Sequence, residues 1–558
     1  MRKATGIAVT IAFVAFLWPL VFVDRSAGDD WAYFDSLSLV VRSSVLHYHR
    51  FPLHDPWVLG GIDILGNPQS RVFSPLCLFD LVLPPHTANV LSLVTYAALG
   101  ALGMIRLLKH LGHDDLLASA GACMFISGSW FMLHYAEGHV TYGSMQALPW
   151  VALALLRVDE RRMQVVLAAL FALFIVDGGI YTLIYSLYVA LVLAALKLMP
   201  FQKLLVTVRA RKAFLPVLLA SALAVGSAKF VPVLGMLSER TPTTESTELS
   251  GVLIAQGFFD ALQWFNDFPA DSPWRFHEIG CYAGIFALVL VLAALRYKAF
   301  RETYKTWFIF ACLFLWTGTN FLAPFNPWEV IKLVPLLQHA HVQSRLFVLF
   351  WLAWVIITCG ALETIVRYRN VAVFAVLAEV VLVAQSGWYF AMQAQPNGRV
   401  PRITRALITE TRWHAPKPFG AKPDLYFDGG YGHEDTYEPA RPQRVLAFKG
   451  TPNYHGEIRV ANGEADLLEV TPGRVVFDFR TSVPTTRVRV NLNRLMGWKA
   501  QEGGAVPVDT ERALVMQMQG SGRIVLRYHP WYWPWLAWVY GAGVLGLALC
   551  TRQAMKTG

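Results

Sequence analysis

Apolar runs long enough to cross a bilayer recur along the whole chain, beginning with Thr5 to Val23. A segment inside lipid must satisfy its own backbone, so runs of this length fold as helices. Further runs lie near 88–108, 115–134, 145–157, 163–178, 180–198, 213–235, 279–297, 306–320, 345–366, 370–391 and 533–550. That makes about twelve spans, the 145–157 run being short enough for a broken or tilted helix. Only 15% of the 558 residues are charged and 55% are hydrophobic, far from the balance of a soluble chain. The fold class expected is a polytopic α-helical membrane protein.

Arg2 and Lys3 precede the first run and place the N-terminus on the cytoplasmic side. Arg106/Lys109, Arg157/Arg161/Arg162, Lys197 to Lys212, Arg296 to Lys305 and Arg367/Arg369 then all fall on that same side. The agreement checks the span count. It also accounts for the net charge of +10 without nucleic acid as a partner. The six cysteines have no metal-ligand spacing and sit mostly in apolar runs.

On the outer side, 24–86 forms a first long loop. Phe34, Leu37, Val41 and Val45 recur at helical spacing between Trp31 and Leu46. His54 to Pro85 is rich in Gly and Pro and is expected to be irregular but packed. A second outer loop runs from Ser238 to Glu278. Val330 to Leu337, broken by Pro335, suggests a short re-entrant or interfacial helix. From 393 to 530 the apolar runs vanish. Alternating segments appear instead at Val475–Phe479, Arg487–Leu492, Ala513–Met518 and Arg523–Tyr528, the signature of short antiparallel strands in an extracytoplasmic β-sandwich. Residues 531–558 return the chain through a last span behind an aromatic belt of Trp531, Tyr532, Trp533 and Trp535. The division is therefore a membrane domain over 1–392, a β-rich outer domain over 393–530, and a final helix with a basic tail.

Polar residues gather on the outer side. Asp29 and Asp30 stand where the first run meets water. They are either a solvated acidic cap on the next helix or, as ionisable groups at a membrane boundary, functional. The first loop adds His54, Asp55, Asp63, Asn67, Gln69 and Arg71; later turns add His134, Glu137, His139, Tyr142, Asp177, Tyr181, Glu278, His339, His341 and Arg345. Lys229 lies inside an apolar run near its outer end, either snorkelling or holding an anion. An enzyme acting on a lipid-linked phosphate needs such cations, together with a carboxylate to deprotonate an attacking hydroxyl. His134, Glu137 and His139 do not form the His-Glu-x-x-His metal motif, and hydrogen bonding is the plainer role for them. No Gly-rich phosphate loop or nucleophile elbow is present.

Several short stretches occur in a particular order: Phe51 to Ile62, Gly66 to Gln69, Phe73-Ser74-Pro75, Glu137-Gly138-His139, Asp177 to Thr182, Lys229-Phe230-Val231-Pro232, Gln343 to Phe347, and Gly497-Trp498-Lys499-Ala500. Together with the acidic pair after the first span, they resemble the GT-C glycosyltransferase superfamily and, more narrowly, bacterial YfhO-like membrane proteins. The resemblance implies an inverting transferase on the outer face of the bacterial inner membrane. It would take sugar from a polyprenyl-phosphate donor and pass it to a glycan or lipid-linked acceptor, with membrane lipids around it. Asp29 would then activate the acceptor hydroxyl, with Asp30 supporting it. Lys229 and Arg345 would meet the donor phosphate, and His139, Glu137, Asp63, Asn67, Gln69, Tyr181 and Glu278 would line the substrate site. A divalent cation (Mg or Mn) held by Asp29 and Asp30 is left open. The rival readings are a lipid or glycolipid flippase, which calls for inverted repeats, and a non-catalytic envelope-glycan assembly protein.

Overall fold

The computed structural model describes residues 29–56, 61–200, 202–203, 213–237, 249–260, 276–323, 325–333, 342–365, 369–394, 415–416, 433–434, 455–502, 506–507 and 513–556. The expected first span, the Asp29 side chain, His339 and His341 lie outside the described residues.

Helices dominate. In chain order they are α1 (Asp29–Leu46), α2 (Cys77–Val82), α3 (Pro85–His110), α4 (Asp115–Ile126), α5 (Ser129–Glu137), α6 (Leu148–Leu156), α7 (Arg161–Val176), α8 (Ile180–Ala195), α9 (Phe214–Leu237), α10 (Gly251–Phe259), α11 (Ile285–Ala294), α12 (Lys298–Thr319), α13 (Pro327–Ile331), α14 (Phe347–Ile365), α15 (Arg369–Ala394) and α16 (Trp533–Lys556). Local chemistry sets several ends. Asp114 accepts the Leu117 amide to start α4, Pro85 opens α3, and Arg42 closes α2 by donating to the carbonyls of Leu81 and Leu83.

Among the described residues, five stretches are long and apolar enough to cross a membrane: Pro85–His110, Asp115–Glu137, Phe214–Gly235, Gln343–Ile365 and Trp533–Lys556. The expected total of about twelve is met only in this coarser sense. Apolar helices do form at Val140–Leu156, Ile180–Ala195 and Ile285–Ala294, but each is shorter than a straight crossing requires. The 306–320 run belongs to a longer α12 that carries Lys298, Arg301, Glu302 and Lys305 in its first half. Helix α14 is buried on nearly every side, from Phe347 to Leu362. A helix apolar all round belongs at the centre, and α4, α11 and α12 pack around it.

The strands are β1 (His54–Asp55), β2 (Ile62–Asp63), β3 (Ala415–Pro416), β4 (His433–Glu434), β5 (Ile458–Val460), β6 (Gly463–Thr471), β7 (Arg474–Thr481), β8 (Thr485–Asn493), β9 (Trp498–Glu502), β10 (Val506–Pro507), β11 (Ala513–Gln519) and β12 (Gly522–Tyr528). Two antiparallel four-stranded sheets form, ordered β10-β11-β8-β5 and β6-β7-β12-β9. Their inward residues, among them Val488, Val490 and Met516 from one and Phe477, Ile524 and Leu526 from the other, share one core. Leu53 and Leu65 of the first outer loop, Ala228 of α9 and Leu536 of α16 belong to that same core. The two-sheet region is therefore seated on the first loop and not merely tethered near it. Asn493 Nδ2 donates to the Gly61 carbonyl at 3.1 Å, and Arg50 Nη1 to Thr471 Oγ1 at 3.1 Å.

His54 lies inside this contact, its ring 4.9 Å from Trp498 and 5.2 Å from Tyr528. Neither ring nitrogen has a hydrogen-bond partner among the described residues. Burial pushes its pKa from 6.5 down to about 3. The folded chain thus keeps His54 neutral where the unfolded chain protonates it, so stability falls as pH drops from about 6.5 towards about 3. Protease protection of the 455–528 region should weaken progressively across that window, and His54→Phe should flatten the dependence.

Candidate functional site

Helix ends and short turns meet at one place beneath the first outer loop. Helix α5 stops at Gly138, whose φ of 96° is the left-handed conformation that glycine adopts freely. The same position faces the start of α1. A Cβ there would collide with the Trp31 amide and lie 2.8 Å from the Asp30 carbonyl carbon. Trp31 Nε1 fixes the approach by donating to the Tyr135 carbonyl at 2.9 Å. The Glu137-Gly138-His139 stretch therefore turns the chain while letting Asp30 come close.

The result is a buried polar cluster. Asp30 Oδ2 is 3.0 Å from His139 Nε2, and His139 Nδ1 is 2.7 Å from His134 Nδ1. His277, in a single turn at Phe276–Glu278, places Nδ1 3.4 Å from Glu137 Oε1 and Nε2 3.5 Å from Glu278 Oε1. Arg345 sits in the turn before α14 and grips Glu278 with two parallel bonds, Nε to Oε2 at 2.9 Å and Nη2 to Oε1 at 2.5 Å. Its guanidinium also lies 5.3 Å from each of the Tyr142 and Tyr181 ring centres. Asp30, Glu137, His139, Glu278 and Arg345 are each under 9% exposed. Burial by itself would lower the His277 pKa, but Glu137 and Glu278 raise it to about 10. For Glu278 burial works the other way, and the Arg345 guanidinium holds its carboxyl well below the usual range.

A second polar group surrounds Lys229. Its Nζ donates to the Asn67 carbonyl and to Ser70 Oγ. Asn67 Nδ2 donates to the Tyr33 hydroxyl at 2.7 Å, and its Oδ1 accepts the Gln69 amide. Next to it Arg71 pairs with Asp80 at 2.5 Å, and the Tyr96 hydroxyl donates to Asp177 at 2.6 Å. Gln69, Arg71, Asp80, Tyr96 and Asp177 line a cavity of about 20 Å³, room for a single water. Asp63 shapes its own turn: Oδ1 accepts the amides of Leu65 and Gly66, and Oδ2 the Tyr532 hydroxyl.

The sequence-derived candidates thus fall into distinct settings. Asp30, Glu137, His139, Tyr181, Glu278 and Arg345 come together. Lys229, Asn67 and Gln69 belong to the group that supports the first loop, and Asp63 ties that loop to the base of α16. His277 was missed; its only signal was the adjacent His-Glu pair at the end of a long polar loop. The donors around Asp30 are imidazoles, unlike the all-oxygen octahedral shell Mg²⁺ requires. In comparisons with protein-family models and with curated proteins, no family model and no curated protein matches the chain.

Glu278→Gln strips the partner from a buried guanidinium, which costs about 3–5 kcal/mol in such pairs. The melting temperature of the detergent-solubilised chain should fall accordingly, and Glu278→Leu combined with Arg345→Met should regain much of the loss. Gly138→Ala forces a left-handed alanine into the α1 start and should cost at least about 1–2 kcal/mol, read by the same melting assay.

Proposed function

We propose that this protein is a GT-C-type glycosyltransferase of the bacterial inner membrane. It moves a sugar from a polyprenyl-phosphate donor to a glycan or lipid-linked acceptor on the periplasmic face. The observation that carries the reading is the gathering of Asp30, buried imidazoles, carboxylates, tyrosines and Arg345 in one cluster, where helix ends meet at the first outer loop. So many ionisable groups under one roof are expensive for stability alone and are kept where chemistry uses them.

An inverting transfer asks little covalent work of the protein. The acceptor oxygen bonds to the anomeric carbon while the carbon–oxygen bond to the phosphate breaks. Polyprenyl phosphate leaves with the electron pair, and a carboxylate takes the hydroxyl proton. Asp29, the first residue of α1, is assigned that base role. Asp30 beside it orients His139. Arg345 spends Nε and Nη2 on Glu278, and a guanidinium carries five N–H donors in all. Its Nη1 end is assigned to the donor phosphate. Lys229 acts one step back by holding Asn67 and Ser70 in place. Tyr142 and Tyr181 offer flat faces to a sugar ring as well as to Arg345. The reading retains about twelve spans, the short helices completing their crossings with adjoining turns and local thinning of the bilayer.

The test is release of polyprenyl phosphate from synthetic polyprenyl-phosphate sugars by the full chain in vesicles, with an acceptor extract from the same membranes. Asp29→Asn should lower turnover about 10²-fold or more while membrane insertion, followed by a C-terminal reporter, stays normal. Undiminished turnover in both Asp29→Asn and Asp30→Asn removes the transferase assignment.

A further inference from the structure

Three side chains of the buried cluster lie close enough together to gather around a metal ion. One ligand atom from each of His139, His277 and Glu278 lies within 4.8 Å of the other two. Ligands of a four-coordinate zinc ion stand about 3.3–3.5 Å apart, given bonds near 2.0–2.1 Å, so the three draw together by about 1 Å on binding. The outer partners are also of the right kind. A metal-bound imidazole almost always hands its other nitrogen to a carboxylate or carbonyl, which fixes the ring and its tautomer. Here the Asp30 carboxylate lies 3.0 Å from His139 Nε2, and the Glu137 carboxylate 3.4 Å from His277 Nδ1, within reach of that role. That leaves Nδ1 of the first ring and Nε2 of the second as donors, and the latter already faces Glu278 Oε1.

A third imidazole adds an independent observation. His134 is fully buried, packs 4.9 Å from the His139 ring and 5.8 Å from the His277 ring, and its Nε2 has no hydrogen-bond partner among the described residues. Its Nδ1 is hydrogen-bonded to His139 Nδ1 at 2.7 Å, a shared proton that a bound metal ion would displace. Charge points the same way. Among the described residues of the cluster there are three carboxylates, Asp30 and Glu137 beside histidines and Glu278 beside the single guanidinium of Arg345. With His277 protonated the buried set carries one excess negative charge, and a divalent cation that displaces the His277 proton leaves the set neutral.

We propose that His139, His277 and Glu278, with His134 beside them, form a binding site for one divalent transition-metal ion of the zinc or cobalt class. Imidazole-rich donors select such ions over Mg²⁺ and Ca²⁺, which take oxygen. Three protein ligands leave a coordination position for an oxygen ligand. The site stands on its own geometry and does not depend on the transferase reading.

The experiment uses the full chain purified in detergent, stripped with a chelator and titrated with Zn²⁺ alone, metal content being read by elemental mass spectrometry after desalting. One equivalent of zinc should be retained in the presence of excess Mg²⁺. His139→Ala and His277→Ala should each weaken retention by 10-fold or more, while His47→Ala leaves it unchanged. Should the alanine variants fail to fold, His277→Cys keeps a zinc ligand. Its Co²⁺ form should then show a thiolate-to-cobalt charge-transfer band absent from the wild type. A folded wild-type chain that retains no zinc overturns the proposal. So does retention undiminished in folded His139→Ala and His277→Ala, or a His277→Cys cobalt spectrum lacking the thiolate band.

Discussion

The Glu278–Arg345 ion pair holds together what the chain would otherwise keep apart. Both side chains are about 4% exposed, and an unpaired charge at that depth is far too costly to persist. Each must reach the other, so the turn before α11 is drawn to the turn before α14, a helix buried from Phe347 to Leu362. His277 enters with Glu278, Glu137 pairs with His277, and Tyr142 and Tyr181 cover the guanidinium. Packing of apolar helices supplies the bundle, whereas the pairing of buried charge decides which ends of the helices coincide.

Topology made much of that meeting legible in advance. Glu137, His139, Tyr181, Glu278 and Arg345 each flank an apolar run on the same side, so the alternation of spans collects them without any knowledge of contacts. Pairing is another matter. Lys229 and Arg345 look alike in the sequence, as single cations at the edge of apolar runs. One donates to a loop carbonyl and a serine, the other forms a two-bond fork on a carboxylate. Only three-dimensional proximity separates these fates. Asp63 could have been read more closely, since a glycine three residues later marks the turn its carboxylate caps.

The strand-rich region shows the same division. Alternation announced β7, β8, β11 and β12, which carry a clear apolar face. It gave no warning of β6, whose residues are mostly exposed along both edges of the alternation. Nor could it foretell where the sheets would sit. Their core closes only with Leu53 and Leu65 from the first loop and Leu536 from α16, residues that read locally as loop and membrane helix.

That closure bears on biogenesis. Near the base of α16, Tyr532 bonds to Asp63, the Tyr540 hydroxyl donates to the Phe73 carbonyl at 2.7 Å, and the Trp533 ring lies 4.2 Å from that of Phe51. The loop is thus finished by a segment made more than 460 residues later. Until that segment is made, the early loop waits without its latch, and a polypeptide truncated before Tyr532 that inserts normally still leaves this region unassembled.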